Sequence, residues 1–141
     1  MKAILIIPLF ICYVVSGQSK DSIAIAQLII NDYKSFNNWD YKKHVQHCQP
    51  HYILIENGNI MSLQDEVNYF KKNAHRSIKR TDQFNFFSIR VQRNIGYAIY
   101  ELESTIEEDG KSKFYKWTES AICEKAARGW KLALIHSTVV K

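Results

Sequence analysis

Glycine and proline are scarce in this chain, at five and two of 141 residues. They stand singly near expected turns, so no linker or low-complexity tract is present, and no segment repeats. A Gly-rich phosphate loop, a dinucleotide fingerprint and a His-Glu-x-x-His motif are all missing, so no tightly bound cofactor is expected. Charge of one sign is missing too: 19 Lys and Arg stand against 14 Asp and Glu, a formal +5. Lys71, Lys72, Arg76, Lys79 and Arg80 make one basic cluster, answered by Glu101, Glu103, Glu107, Glu108 and Asp109. That balance reads as a solvated surface, and no nucleic-acid partner is expected.

One long apolar run exists, at the start. MKAILIIPLFICYVVSG has a single basic residue, an apolar stretch and small residues at its end. This is the layout of a secretory signal peptide, with cleavage expected after Gly17 and a secreted or periplasmic location. The alternatives are an uncleaved anchor, or a lipoprotein leader using Cys12, which the bulky Ile11 before it disfavours. Loss of Lys2 with the leader lowers the charge to +4. Residues 18–141 then form a single domain, and no later segment is long and apolar enough to span a membrane. Of the three cysteines, Cys48 and Cys123 remain; export permits a Cys48–Cys123 disulfide, but two residues without geometry establish none.

Beyond the leader the chain divides into a helical first half and a strand-rich second half. DSIAIAQLIINDYKSF places Ile25, Leu28, Ile29, Tyr33 and Phe36 on one helical face, with Asp21 or Ser22 as its cap. NNWDYKKHVQHC predicts a shorter helix ending before Pro50, HYILIENG a short strand, and SLQDEVNYFKKN a third helix with capping-box spacing at Ser62 and Asp65. After Arg80 the period becomes two. Phe87, Ile89 and Val91 alternate with polar residues, as do Ala98, Tyr100, Leu102 and Ile106 in the next strand. KFYKWTESAICEK and GWKLALIHSTVV complete an antiparallel meander with one wet face. Strict alternation in the last strand puts Trp130, Leu132, Leu134 and His136 together. The fold class is α+β, with helices packed on one face of a curved sheet.

This order of elements, together with Trp39-Asp40, HYILIENGNIMSLQDEVNYF and the closing G-W-K-L-x-x-I-H-S of residues 129–137, resembles the nuclear transport factor 2-like superfamily. SnoaL-like (polyketide cyclase-like) and ketosteroid isomerase-like members are closest in style, and the likeness covers nearly all of residues 21–140. It implies a cone-shaped, cystatin-like architecture in which a curved antiparallel sheet wraps three N-terminal helices around a mostly apolar pocket. Members of that superfamily include isomerases, cyclases, dehydratases, hydrolases and pure binding modules, so the fold leaves the activity open.

Several residues are candidates for that pocket. His136 is a general base, a ligand contact or a satisfied core histidine. Glu119 shares a strand face with Tyr115 and Trp117; turned inward it is an acid or base with a raised pKa, turned outward a surface charge. Tyr33, Trp39, Tyr100, Trp117 and Trp130 are candidate ligand-binding residues, or core aromatics. In HVQHCQPH, His44, His47, Cys48 and His51 have metal-ligand chemistry, but Pro50 interrupts the helix that would align them, and no metal is expected. The expected function is binding of a small, largely apolar ligand. The rivals are cofactor-free acid–base catalysis by His136 with Glu119 or a tyrosine, and a homodimerising module joined through an open sheet face carrying Tyr97 and Ile99.

Overall fold

A computed structural model describes residues 19–140. The predicted leader, residues 1–17, lies outside them, and among the described residues no helix is long and apolar enough to cross a membrane.

Helix α1 (Lys20–Lys34) is capped two or three residues before the expected Asp21 or Ser22: the Ser19 hydroxyl accepts the Ser22 N–H. A 3-10 turn, Ser35–Asn38, ends at Trp39 in a left-handed conformation (φ 51°). Asp40 then accepts the Lys43 N–H and starts α2 (Tyr41–His47), which stops ahead of Pro50. Strands β1 (Cys48–Glu56) and β2 (Asn59–Ser62) form a hairpin through Asn57 and Gly58, both at positive φ. Helix α3 (Leu63–Asn73) opens with the expected reciprocal capping box between Ser62 and Asp65. Four long strands follow: β3 (Lys79–Gln92), β4 (Ile95–Glu108), β5 (Lys111–Ala126) and β6 (Gly129–Val139).

The six strands lie in the order β2-β1-β6-β5-β4-β3. The sheet is open and mixed rather than wholly antiparallel. The meander is antiparallel as expected, but β1 docks beside β6 in parallel, because α3 carries the chain from one sheet edge to the other between them. Ile25 and Ile29 of α1 pack against Ala98, Tyr100, Leu102, Ala121, Cys123, Leu132 and Ile135. Gly96 lets α1 come close, since a Cβ there would run into Ile25 Cδ1.

Two bulges redirect side chains that strict alternation misplaces. In β3, Phe86 pairs with Tyr100 and Ser88 with Ile99, leaving Phe87 as the extra residue. Phe87 is therefore 56% exposed, while Phe84 and Phe86 turn inward beside Ile89 and Val91. In β6, Leu132 pairs with Cys123 and Leu134 with Ile122, so Ala133 is extra. Beyond it the inward positions become Ile135 and Ser137, and His136 is exposed on the outer face.

Cys48 and Cys123 are both buried free thiols. They pair with Leu132 from opposite sides of β6. Two ladder spacings of ~4.8 Å separate their backbones, beyond the reach of ~7 Å within which a disulfide closes.

Candidate functional site

The open end of the cone encloses a cavity of about 510 Å³. Its floor is one register row across the inner face of the sheet, Glu56 on β1, Ser137 on β6 and Glu119 on β5, a row that Tyr100 on β4 continues beneath the cavity surface. Its walls include Tyr33, Phe36, Trp39, Leu54, Met61 and Trp117.

Glu119 is the centre of this floor. It is 3% exposed. Tyr33 donates from α1 to Oε2 at 2.7 Å, and Ser137 donates to Oε1 at 2.7 Å. Burial raises its pKa, and the bonds from Tyr33 and Ser137 hold the rise in check. Burial and the neighbouring Glu119 charge push the Tyr33 and Tyr100 hydroxyls well above the usual phenol range. The Tyr100 hydroxyl is buried one strand from Glu119 without a hydrogen-bond partner among the described residues. Glu56 also has a raised pKa, first from burial and then from the charges of Glu119 and Glu66.

Arg80 reaches into the same space. Its guanidinium bonds Asp82 at 2.7 Å and Ser104 at 3.0 Å, and lies 5.1, 5.6 and 5.7 Å from the ring centroids of Tyr33, Phe36 and Trp117. At the mouth, Arg76 grips Glu108 with two bonds of 2.6 Å, while its carbonyl accepts the Trp39 indole N–H at 2.9 Å.

Tyr33, Trp39, Trp117 and Glu119 thus face one cavity, and three other expected residues do not. His136 is turned out by the Ala133 bulge, which removes it from any chemistry in the cone. Trp130 sits at the far end of the core and donates its indole N–H to Asp21 at 2.9 Å. Tyr100 lies beneath the floor rather than on the cavity surface. Glu56, Glu66, Arg80 and Ser137 were not anticipated. Glu56 had a visible signal, a carboxylate continuing the apolar alternation of Tyr52 and Leu54.

A second polar cluster lies behind the cavity. His44, at the end of a short helix, is fully buried and stacks on Phe70 at 5.2 Å. Its Nδ1 is 3.0 Å from Asp32 Oδ1, and its Nε2 is 3.2 Å from Glu66 Oε2. The second contact is an ion pair without hydrogen-bond alignment, because Oε2 has no hydrogen-bond partner among the described residues. His47 adds a 3.0 Å contact to Asp32. Burial disfavours charge on His44, but its contacts with Asp32, Cys48 and Glu66 prevail and raise its pKa to about 12. Burial likewise works against an ionised Asp32, and the bonds from His44 and His47 outweigh it, leaving its pKa lowered. Asp32 sits seven residues after Ile25 and three after Ile29, squarely on the buried stripe of α1.

Asp32, His44 and Cys48 are close enough to suggest a metal site. Their geometry argues otherwise. Cys48 Sγ lies 3.9 Å from Nδ1 and 3.8 Å from Nε2, so neither ring lone pair points at it. Both ring nitrogens face carboxylates, and burial raises the thiol to about 11. His51 is on β1, paired with Glu124 instead.

No family-level sequence profile and no curated protein sequence matches the chain. Solved structures do. A nuclear transport factor 2-like superfamily protein from Salmonella enterica aligns over 89% of this chain and 94% of its own, with TM-score 0.71 and 16% identity. The chain has the nuclear transport factor 2-like fold. A ketosteroid isomerase-like protein from Erwinia carotovora shares that fold over 87% of this chain and 98% of its own, at TM-score 0.70 and 12% identity. The S. rosetta CaMKII hub does so over 88% and 100%, at TM-score 0.73 and 15% identity. At such identities the likeness is one of fold, within which ketosteroid isomerase-like proteins and a kinase hub are equally at home.

Proposed function

We propose that the protein binds a small ligand in the cone, with an apolar body against Trp39, Phe36 and Trp117 and a polar group at Glu119. The observation that carries this reading is the cavity of about 510 Å³ ending on a buried carboxyl held by Tyr33 and Ser137. Pockets of this size and mixed lining suit small molecules. A raised pKa also equips Glu119 for proton transfer, with Tyr33 as hydrogen-bond donor, so the acid–base rival survives in a form without His136. A fragment screen followed by NMR of the indole N–H signals tests the binding reading. Hits should shift Trp39 and Trp117 and spare Trp130, and Ser137→Phe, which plugs the floor, should abolish them in a folded protein. Hits that ignore the plug would defeat the reading.

A second reading is self-association through the outer sheet face. Ile53, Leu134, Ile122 and Tyr97 form a cross-strand row there, and Ile53, Ile122, Tyr97 and the nearby Ile99 are exposed. The likeness to a hub domain is in keeping with such a role. Sedimentation equilibrium should show a dimer that Ile122→Lys dissociates; a monomer at high concentration would exclude it. A location outside the cytoplasm is part of the same proposal, supported by the leader-like layout of residues 1–17; N-terminal sequencing of the mature protein tests it, with cleavage after Gly17 expected.

A further inference from the structure

The cavity's unanswered charge is negative. Glu56, Glu66 and Glu119 all line it. The basic groups nearby are already engaged: Arg80 by Asp82 and Ser104, Arg76 by Glu108, and His44 by two carboxylates at once, Asp32 and Glu66, so that one cation answers two acids. Lys111 and Lys113 lie only at the exposed rim, in solvent, where water screens them.

The three carboxylates differ in what they lack. Glu119 accepts one bond on each oxygen. Glu56, two strands away in the same row, has no hydrogen bond among the forces acting on it, only burial, two neighbouring negative charges and the more distant Arg80. Glu66 is 4% exposed; it shares the His44 cation with Asp32, and its Oε2, 3.2 Å from the His44 ring, has no aligned hydrogen-bond donor among the described residues. A buried acceptor without an aligned donor keeps part of its desolvation cost, and like charges gathered in a half-dry cavity repel one another. A ligand bringing N–H donors and positive charge answers both. The aromatic wall suits the same ligand: Tyr33, Phe36 and Trp117 already hold one cation, the Arg80 guanidinium, against their rings.

Building on the ligand-binding reading, we infer that the natural ligand is a small organic cation, an amine with an aromatic or aliphatic body. Its ammonium group sits among Glu56, Glu66 and Glu119, and its body lies along Trp39 and Trp117. An anionic ligand would meet three carboxylates with no free base opposite them. A neutral ligand would leave their repulsion in place.

Calorimetry with three probes on one phenylpropyl carbon skeleton tests this: 3-phenylpropylammonium, 3-phenyl-1-propanol and 3-phenylpropionate. The ammonium should bind tightest and the carboxylate weakest. Glu56→Gln, a change at a partly exposed position, should weaken the ammonium roughly tenfold, the worth of a charge-assisted hydrogen bond, and leave the alcohol unaffected. A melting curve confirms that the variant is folded. If the alcohol or the carboxylate binds as well as the ammonium, or Glu56→Gln leaves the preference intact, the cation inference falls and the pocket reading stands. If Ser137→Phe abolishes no binding, or no probe binds, both fall.

Discussion

Ser137 donates its hydroxyl to Oε1 of Glu119 across the last two strands, at 2.7 Å and out of solvent. With Tyr33 on the other oxygen, the pair fixes a carboxyl where burial favours its protonated form. The native state therefore holds this proton to a higher pH than the unfolded chain, whose carboxyl has an ordinary value near 4.5. Stability from this group is greatest below that pH and is lost as pH rises through the native pKa. Glu119→Gln removes the dependence. Melting temperatures of variant and parent, compared from pH 4 to 8, should shift steadily in the variant's favour. A constant difference would mean that Glu119 is not raised.

His44 should behave as a buried cation. Replacing it with Asn leaves Asp32 and Glu66 buried without their counter-charge, a loss of about 3–5 kcal/mol. Because its pKa rises from about 6.5 to about 12, its contribution is complete below pH 6.5 and is lost as pH climbs toward 12. Urea titrations at pH 6 and pH 10 should show the gap between parent and His44→Asn shrinking. Recovery of stability by the triple change His44→Leu, Asp32→Asn, Glu66→Gln would show that the unpaired charges, rather than lost packing, caused the loss.

Gly96→Ala should destabilise by about 1–3 kcal/mol, the usual cost of forcing a methyl into a packed core. The added Cβ meets the buried Ile25 side chain, and Ile25→Val in the same chain should restore part of the loss in chemical denaturation. An unchanged midpoint for Gly96→Ala would show that α1 stands farther from β4.

Cys48 and Cys123 should resist a thiol reagent in the folded protein and both react after denaturation, without prior reduction. Peptide mapping identifies each. A disulfide-linked pair of peptides would contradict the spacing across Leu132.

Where alternation is unbroken, the sequence was legible. The helix stripes, the capping box, the meander and the shared face of Tyr115, Trp117 and Glu119 follow from period and turn chemistry, though alternation alone does not say that this face is the inner one. Legibility ended at the bulges. Nothing in L-A-L-I-H-S marks Ala133 as the residue that drops out of register, yet that one position exchanges His136 for Ser137 at the floor. Parallel pairing of β1 with β6 was equally hidden, since neighbours in a sheet need not be neighbours in sequence, so the visible alternation that ends at Glu56 did not tie that residue to the floor. The Asp32–His44–Glu66 cluster joins three separate helices, and only Asp32 carried a local sign, a carboxylate on an apolar stripe.

The placement of β1 beside β6 also sets an order of events. Leu54 meets Ile135, and Glu56 meets Ser137, across most of the domain's length. Such distant pairings close slowly, and a chain leaving the ribosome folds from its beginning. The sheet is therefore continuous from β2 to β3 only once the final strand lies between β1 and β5. Ser137 reaches the floor on that same strand, so the site and the joining of the two halves of the sheet come into being together.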